Sequence, residues 1–277
     1  MSDQQEILKL RIMTSFLSPT EGQCTVTGIS LALREEKWKI SKIMTAMEQE
    51  GLLDKSNPRA PMLTERGLAE ARRLEEGVEV AQNHLIYEGM ELETARRDAY
   101  MWALHGSDAL MDVIRESDTR YRLKRELRNQ KNFRGSELCR HLSDGCYQFP
   151  FIIYREHVKD GKNISMANDG FAHPCTLYVD GGTGTVQLLI QSTEQRSGSN
   201  GKIMHGKVDQ MAYFDSGRFI GAEFTSDVVS FPIDALNFVN IGSGTGNVLH
   251  GSVCLKMRCS CGIIHMPESK AIFTILI

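Results

Sequence analysis

The sequence predicts an α+β protein whose first half is helical and whose second half is a mostly antiparallel β sandwich or barrel. Three observations carry this. Residues 1–135 run through successive glycine-poor segments with apolar residues at helical spacing. Residues 142–277 hold 16 of the 24 glycines. The same half contains alternating runs such as Phe149 to Tyr154, Val186 to Ile190 and Val253 to Met257. With 277 residues, 41% hydrophobic and 24% charged, the chain is long enough for two or more domains, and its composition excludes collagen-like, low-complexity and disordered classes.

In order along the chain, Glu6 to Leu17 places Ile7, Leu10, Ile12, Met13, Phe16 and Leu17 on one side of a helix that Ser18-Pro19 ends. Thr25 or Thr27 can cap a short second helix through Leu33. After the polar turn Arg34-Glu35-Glu36, a third helix runs from about Lys37 to Glu50, with Ile40, Ile43, Met44 and Met47 on one face and Gly51 at its end. The turn-rich stretch Asp54 to Pro61 separates Leu52-Leu53 from Met62-Leu63, and Thr64-Glu65-Arg66-Gly67 opens a further helix. Three helices followed by a short hairpin describe a winged helix-turn-helix over 1–75. A helical segment over 76–118, a basic helix or linker over 119–141 and a β-rich domain over 142–277 follow.

In a helix-turn-helix the third helix enters the major groove, so its exposed start should be cationic or hydrogen-bonding. Lys37, Trp38, Lys39, Ser41 and Lys42 meet that demand, and Arg59 at the hairpin tip could reach the flanking backbone, with Lys55 a weaker candidate. A solvated lysine-rich helix start is the alternative. The expected partners are a double-stranded DNA operator and a second copy of the chain. Net charge is only −3, but it is uneven: about 0 over 1–75, −7 over 76–118, +6 over 119–141 and −2 over 142–277. The basic segment carries eight Lys and Arg against Glu126 and Glu137, and can be read as extra phosphate contacts, a solvated face or a partner for the acidic segment.

The run GISLALREEKWKISKIMTAMEQEGLL, followed by LTERGLAEARRLEE, resembles the winged helix of the diphtheria toxin repressor or iron-dependent repressor family. The next stretch, VAQNHLIYEGMELETARRDAYMWALHGSDALMDVI, resembles its helical dimerisation domain, with Gly89 closing one helix and Ser107-Asp108 capping another. The resemblance covers about residues 5–118 and implies a homodimeric repressor that Fe(II) or Mn(II) switches on. The positions it assigns to metal ligands hold Lys9, Gly77, Ala81, Arg96, Tyr100, Ala103 and Leu104. Lys and Arg are cationic and Gly, Ala and Leu offer no side-chain donor, so the family's metal switch is expected to be missing. The small barrel that often ends such proteins does not match the last 130 or so residues.

A divalent metal (Zn, Fe or Mn) at a non-standard site has two candidate ligand sets. His84 and Glu88 stand at i and i+4, with His105 about one helix away. Cys259, Cys261 and His265 are soft ligands at short spacing, for which packed core thiols are the alternative. Gly242 to Gly246 precedes a β-patterned run, so no helix N-terminus is available there to hold a phosphate. Asn163 to Cys175 could line a ligand mouth, but GxSxG and HExxH are absent and no enzyme is expected. Seven cysteines, an odd number, and a start without a basic and apolar leader suggest a reduced, cytoplasmic protein with no membrane association. The effector is left unidentified. The other class of function that fits is a ligand-binding or catalytic β protein whose winged helix mediates protein contacts.

Overall fold

A computed structural model describes residues 3–18, 24–159, 161–196, 203–261, 264–265 and 268–277. The chain mixes helix with antiparallel sheet and divides into two compact units, Met1–Thr119 and Arg120–Ile277.

The first unit contains α1 (Asp3–Thr14), α2 (Val26–Leu33), α3 (Lys37–Gln49), β1 (Leu53–Asp54), β2 (Met62–Leu63), α4 (Glu65–Tyr87), α5 (Leu92–His105) and the start of α6 (Asp108–Glu126). Local chemistry sets these boundaries. Thr25 Oγ1 accepts from Gly28 N at 3.1 Å to start α2, Thr64 Oγ1 accepts from Gly67 N at 3.0 Å to start α4, and Ser107 Oγ accepts from Leu110 N at 3.2 Å to start α6. Gly51 (φ 72°) and Gly89 (φ 94°) take the left-handed conformation that ends α3 and α4. β1 and β2 pair antiparallel, Leu53 opposite Leu63 and Asp54 opposite Met62. The core gathers Leu10, Ile12, Met13, Ile29, Ile40, Met44, Met47, Leu53 and Leu74. The expected break at residue 75 falls inside the continuous helix α4.

Thr64 does more than cap. Its Oγ1 donates to Gly51 O at 2.8 Å and its N–H donates to Leu52 O at 3.1 Å, so the start of α4 is bonded to the chain that leaves α3. Gly67 lies over that same chain: a Cβ there would stand 1.9 Å from Leu52 O. The Thr-Glu-Arg-Gly run is therefore a clasp that fixes the hairpin against the end of α3.

The second unit begins inside α6 and continues through β3 (Asn132–Arg134), α7 (Gly135–Cys139), β4 (Gly145–Phe149), β5 (Phe151–Lys159), β6 (Lys162–Ile164), β7 (Cys175–Asp180), β8 (Thr183–Leu189) and β9 (Thr193–Arg196). It is completed by β10 (Ile203–Asp215), β11 (Arg218–Gly221), β12 (Glu223–Thr225), β13 (Val228–Pro232), β14 (Asn237–Ile241), β15 (Val248–Cys261), β16 (Ile264–His265) and β17 (Ser269–Leu276). Two sheets form. One runs β11-β10-β15-β17-β5-β6, with β14 and β16 on β15, β3 on β14 and β9 on β10; the other runs β12-β13-β8-β7-β4. Every strand pair is antiparallel.

Their inward faces share one core, in which Leu177, Val186, Leu188, Val229 and Phe231 of the smaller sheet meet Ile153, Met211, Leu255, Met257 and Phe273 of the larger. The basic segment folds into this unit: Leu123, Leu127 and Leu138 are fully buried in the same core. Asn247, buried in the β14–β15 turn, donates to Lys124 O at 3.4 Å and to Asn240 Oδ1 at 3.2 Å, and Asn240 Nδ2 donates to Leu127 O at 3.1 Å. Arg134 bridges Asp215 at 2.8 Å and Asp234 at 3.3 Å.

Candidate nucleic-acid interface

Helix α3 sorts its side chains by the 3.6-residue period: Ile40, Ile43, Met44 and Met47 are buried, while Lys37, Trp38, Ser41 and Lys42 are exposed. Trp38 is 62% exposed, an unusual placement for the largest apolar side chain. Lys37, Lys42 and Arg59 are exposed and have no ion-pair partner among the described residues. Lys39 differs, because its Nζ lies 3.4 Å from Glu35 Oε2 and 6.0 Å from the Trp38 ring centroid. Trp38 Nε1 donates to Glu36, the residue before the helix. Lys55 is held by Thr45 Oγ1 at 3.0 Å and Glu48 Oε2 at 3.3 Å, which ties the hairpin to the solvent face of α3.

Sequence reasoning passed over the groove between α1 and α3. It has a volume of about 460 Å³, and Gln4, Gln5 and Arg11 line it together with Trp38, Lys39 and Lys42. Arg11 is also bonded to Leu33 O at 3.3 Å. The signal was the polar side of α1, which a reading based on its apolar stripe leaves unused. Cations that lack carboxylate partners, next to an exposed aromatic ring, can neutralise phosphates and pack on sugar or base methyl groups.

The positions at which the resemblance implies metal ligands are occupied by packing and ion pairs. Gly77, Ala81 and Ala103 are buried, and a Cβ on Gly77 would lie 3.3 Å from Ala103 Cβ and 3.6 Å from Met111 Cε. Lys9 pairs with Glu50, Arg96 Nε donates to Tyr100 OH at 3.2 Å, and Leu104 packs against the core. A cleft of about 560 Å³ beside Lys9 and Leu104 is rimmed by Glu6, Arg66, Glu70 and Arg73, with Arg73 and Glu70 paired at 2.8 Å.

Among the described residues, no group of three or more His, Cys, Asp and Glu side chains could hold a metal ion. His105 Nε2 lies 3.4 Å from Glu6 Oε2 on α1, and His84 has its ring centroid 6.2 Å from that of Trp102, while Glu88 follows the last residue of α4. Cys259 sits opposite Val208 on β10 and packs against the β core. The side chains of Cys261 and His265 lie outside the described residues.

Gly244–Gly246 forms a single 3-10 turn between β14 and β15. In the 163–175 segment, Asn168 Oδ1 accepts from Ile153 N at 3.0 Å, His173 stacks on Phe151 at 4.0 Å, and Cys175 Sγ donates to Phe149 O at 3.3 Å. Burial pushes the Cys175 thiol up to about 12 and the Cys139 thiol up to about 11, so both are held as neutral thiols. No helix among the described residues is long and apolar enough to cross a membrane.

No protein-family model matches the sequence, and no curated protein matches it. Among solved structures the chain is similar to the manganese regulator SloR, with a TM-score of 0.34 and 13% identity over 83% of this chain and 98% of that one. It is similar to IdeR of T. acidophilum, with a TM-score of 0.31 and 12% identity over 73% of this chain and 91% of that one. A shorter likeness, over 48% of this chain and 96% of the other, is to the NEAT5 domain of IsdX2, a B. anthracis hemophore in complex with heme, with a TM-score of 0.30 and 15% identity. Likeness at this level assigns neither ligand nor activity.

Proposed function

We propose that this chain is a DNA-binding transcriptional regulator that reads a palindromic operator as a homodimer through a winged helix formed by α1–α3 and the β1–β2 hairpin. The observation that carries the reading is the division of α3, with its apolar stripe in the core and Lys37, Trp38, Ser41 and Lys42 outward. The clasp at Thr64 and Gly67 supports it, because it holds the hairpin beside α3 where a wing has to stand. Dimerisation is supported by large apolar side chains left exposed in the second helical stretch: Ile86 on α4, Leu92 on α5, and Leu110 and Val113 on α6. The seam of Gly77, Ala81 and Ala103 supports a regulator without the metal switch of the family it resembles. The β unit serves as its sensor or assembly domain, and we assign no catalytic step.

Selection from a pool of random duplexes tests the reading. Enriched sequences should contain two half-sites about 34–36 Å apart, one turn of DNA. Replacing Lys37 and Lys42 by Ala should abolish the enrichment while α-helical content is retained. A failure of the folded wild-type chain to enrich any duplex would overturn it. A second reading, in which α3 contacts a protein, is favoured by Glu35 and Glu36, whose carboxylates engage Lys39 and Trp38 at the mouth of the helix. A pool that enriches nothing, with a dimer retained in solution, would support that reading.

A further inference from the structure

The second unit carries an unbalanced positive stretch that the α3 interface does not use. Between residues 120 and 131 stand Arg120, Arg122, Lys124, Arg125, Arg128 and Lys131, with Glu126 as the one acidic residue. Glu126 is engaged elsewhere, its Oε2 lying 3.0 Å from His141 Nδ1. The neighbouring Glu137 is taken by Arg140 at 2.6 Å and by Gln130 at 3.0 Å. None of the six cations has an ion-pair partner among the described residues. Arg122 Nε is a buried donor without a hydrogen-bond partner.

Cations in the last turn of a helix complement its macrodipole, but that effect falls off within one turn. Here the charge extends from Arg120, well inside α6, to Lys131 beyond its end. Arg120 and Lys124 stand at i and i+4, where like charges repel and destabilise a helix. The Lys124 ammonium is held below its ordinary pKa, first by burial and then by Arg120. The helix is also anchored. Leu123 and Leu127 are locked in the β core, and Asn247 and Asn240 bind the carbonyls of Lys124 and Leu127, so the cations are presented by a fixed backbone. Repulsion built into a rigid element is relieved when a polyanion supplies the missing counter-charges.

We infer that the segment from Arg120 to Lys131, the last turns of α6 and the chain that follows it, is a second duplex-DNA contact that binds phosphates of the backbone without reading sequence. The helical part, Arg120 to Glu126, spans about 9 Å at 1.5 Å per residue, which matches about three phosphates at 3.4 Å of rise per strand, and Arg128 and Lys131 follow it. The identity of the polyanion rests on the duplex-binding reading of α3; the surface itself does not. Each neutralised phosphate adds about 0.9 to the slope of log K against log salt, and this gives a direct readout.

The test is fluorescence anisotropy of the full chain on a labelled random-sequence 24-base-pair duplex across a salt series. Wild type is compared with Arg120→Gln/Arg125→Gln/Arg128→Gln, the corresponding triple Lys variant, and Lys37→Ala/Lys42→Ala. The triple Gln variant should lose about 2–3 from the slope and roughly tenfold in affinity at low salt, and the triple Lys variant should recover the slope. An unchanged slope in the triple Gln variant, with the Lys37/Lys42 variant weakened, overturns this contact and leaves the α3 reading standing. The reverse pattern supports this contact and overturns the α3 reading. Absence of duplex binding by wild type overturns both, and tighter binding to a single-stranded RNA of equal length overturns the assignment to duplex DNA.

Discussion

Replacing Gly67 by Ala inside α4 should destabilise the protein, although the same change in most helices stabilises it. Helix propensity alone favours Ala by about 1 kcal/mol. The added Cβ would stand 1.9 Å from Leu52 O, 2.9 Å from Leu52 C and 3.2 Å from Leu52 Cα, all backbone atoms that cannot swing aside. Relief requires α4 and the chain leaving α3 to part by about 1 Å, and overpacking of that kind costs about 1–3 kcal/mol. The movement also strains the bond from Thr64 N to Leu52 O at 3.1 Å, worth about 1 kcal/mol. The balance is a loss of about 1–3 kcal/mol, or roughly 3–10 °C in the melting of a unit this size. Both tryptophans, Trp38 and Trp102, lie in the first unit, so intrinsic fluorescence during urea or thermal unfolding reports on it selectively. Gly77→Ala is the control, because its Cβ meets nothing nearer than Ala103 Cβ at 3.3 Å, and it should be at least about 1 kcal/mol more stable than Gly67→Ala. A Gly67→Ala protein as stable as wild type would refute the clasp.

Asn247→Ala should cost about 1–3 kcal/mol in the β unit, measured by chemical denaturation, because it leaves the Lys124 carbonyl and Asn240 without their bonds. Arg134→Gln should lower stability at neutral pH by about 1 kcal/mol. The Arg134 and Ser136 contacts hold the Asp215 and Asp234 carboxyls below the usual range, so this stability is present above the unfolded carboxylate pKa and is lost as pH falls through the folded values. Wild-type and Arg134→Gln melting curves should therefore converge in acid; a difference that persists at pH 2 would contradict the assignment. A thiol reagent on the native protein should modify the exposed Cys146 and spare the buried Cys139 and Cys175 until unfolding, read by mass mapping of the labelled peptides. Dialysis against a chelator should leave the tryptophan-detected melt unchanged, because the seam at Gly77, Ala81 and Ala103 offers a metal no donor; a fall of several degrees would count against that.

Local signals made the helical unit legible. Thr25, Thr64 and Ser107 cap the helices they precede, Gly51 and Gly89 end two of them, and the stripe Ile40, Ile43, Met44 and Met47 identifies the buried face of α3 and hence the exposed one. The β unit was legible as a class but not in detail. Alternation marked runs such as Phe149 to Tyr154 and Val253 to Met257, whereas edge strands such as β3, β6, β12 and β16 have only two or three residues, too few for alternation to register. The basic segment proved to be part of the β core, since Leu123, Leu127 and Leu138 meet strands distant in sequence, a contact that no local pattern encodes. Charge pairing was equally hidden. Arg134 finds Asp215 and Asp234 some 80 and 100 residues away, and Lys9 finds Glu50 across the helical core. On α3, the cations were readable, whereas the neutralisation of Lys39 by Glu35 required the folded geometry.

In the proposed function, two copies of α3 read one duplex. Its most direct test is the mass of the complex, measured by sedimentation or light scattering on a duplex enriched by selection, with wild type and Lys37→Ala/Lys42→Ala compared at matched salt. Two chains per duplex are expected for wild type, and free dimer for the variant. A wild-type dimer that leaves every duplex unbound, or a variant that binds as wild type does, would contradict it.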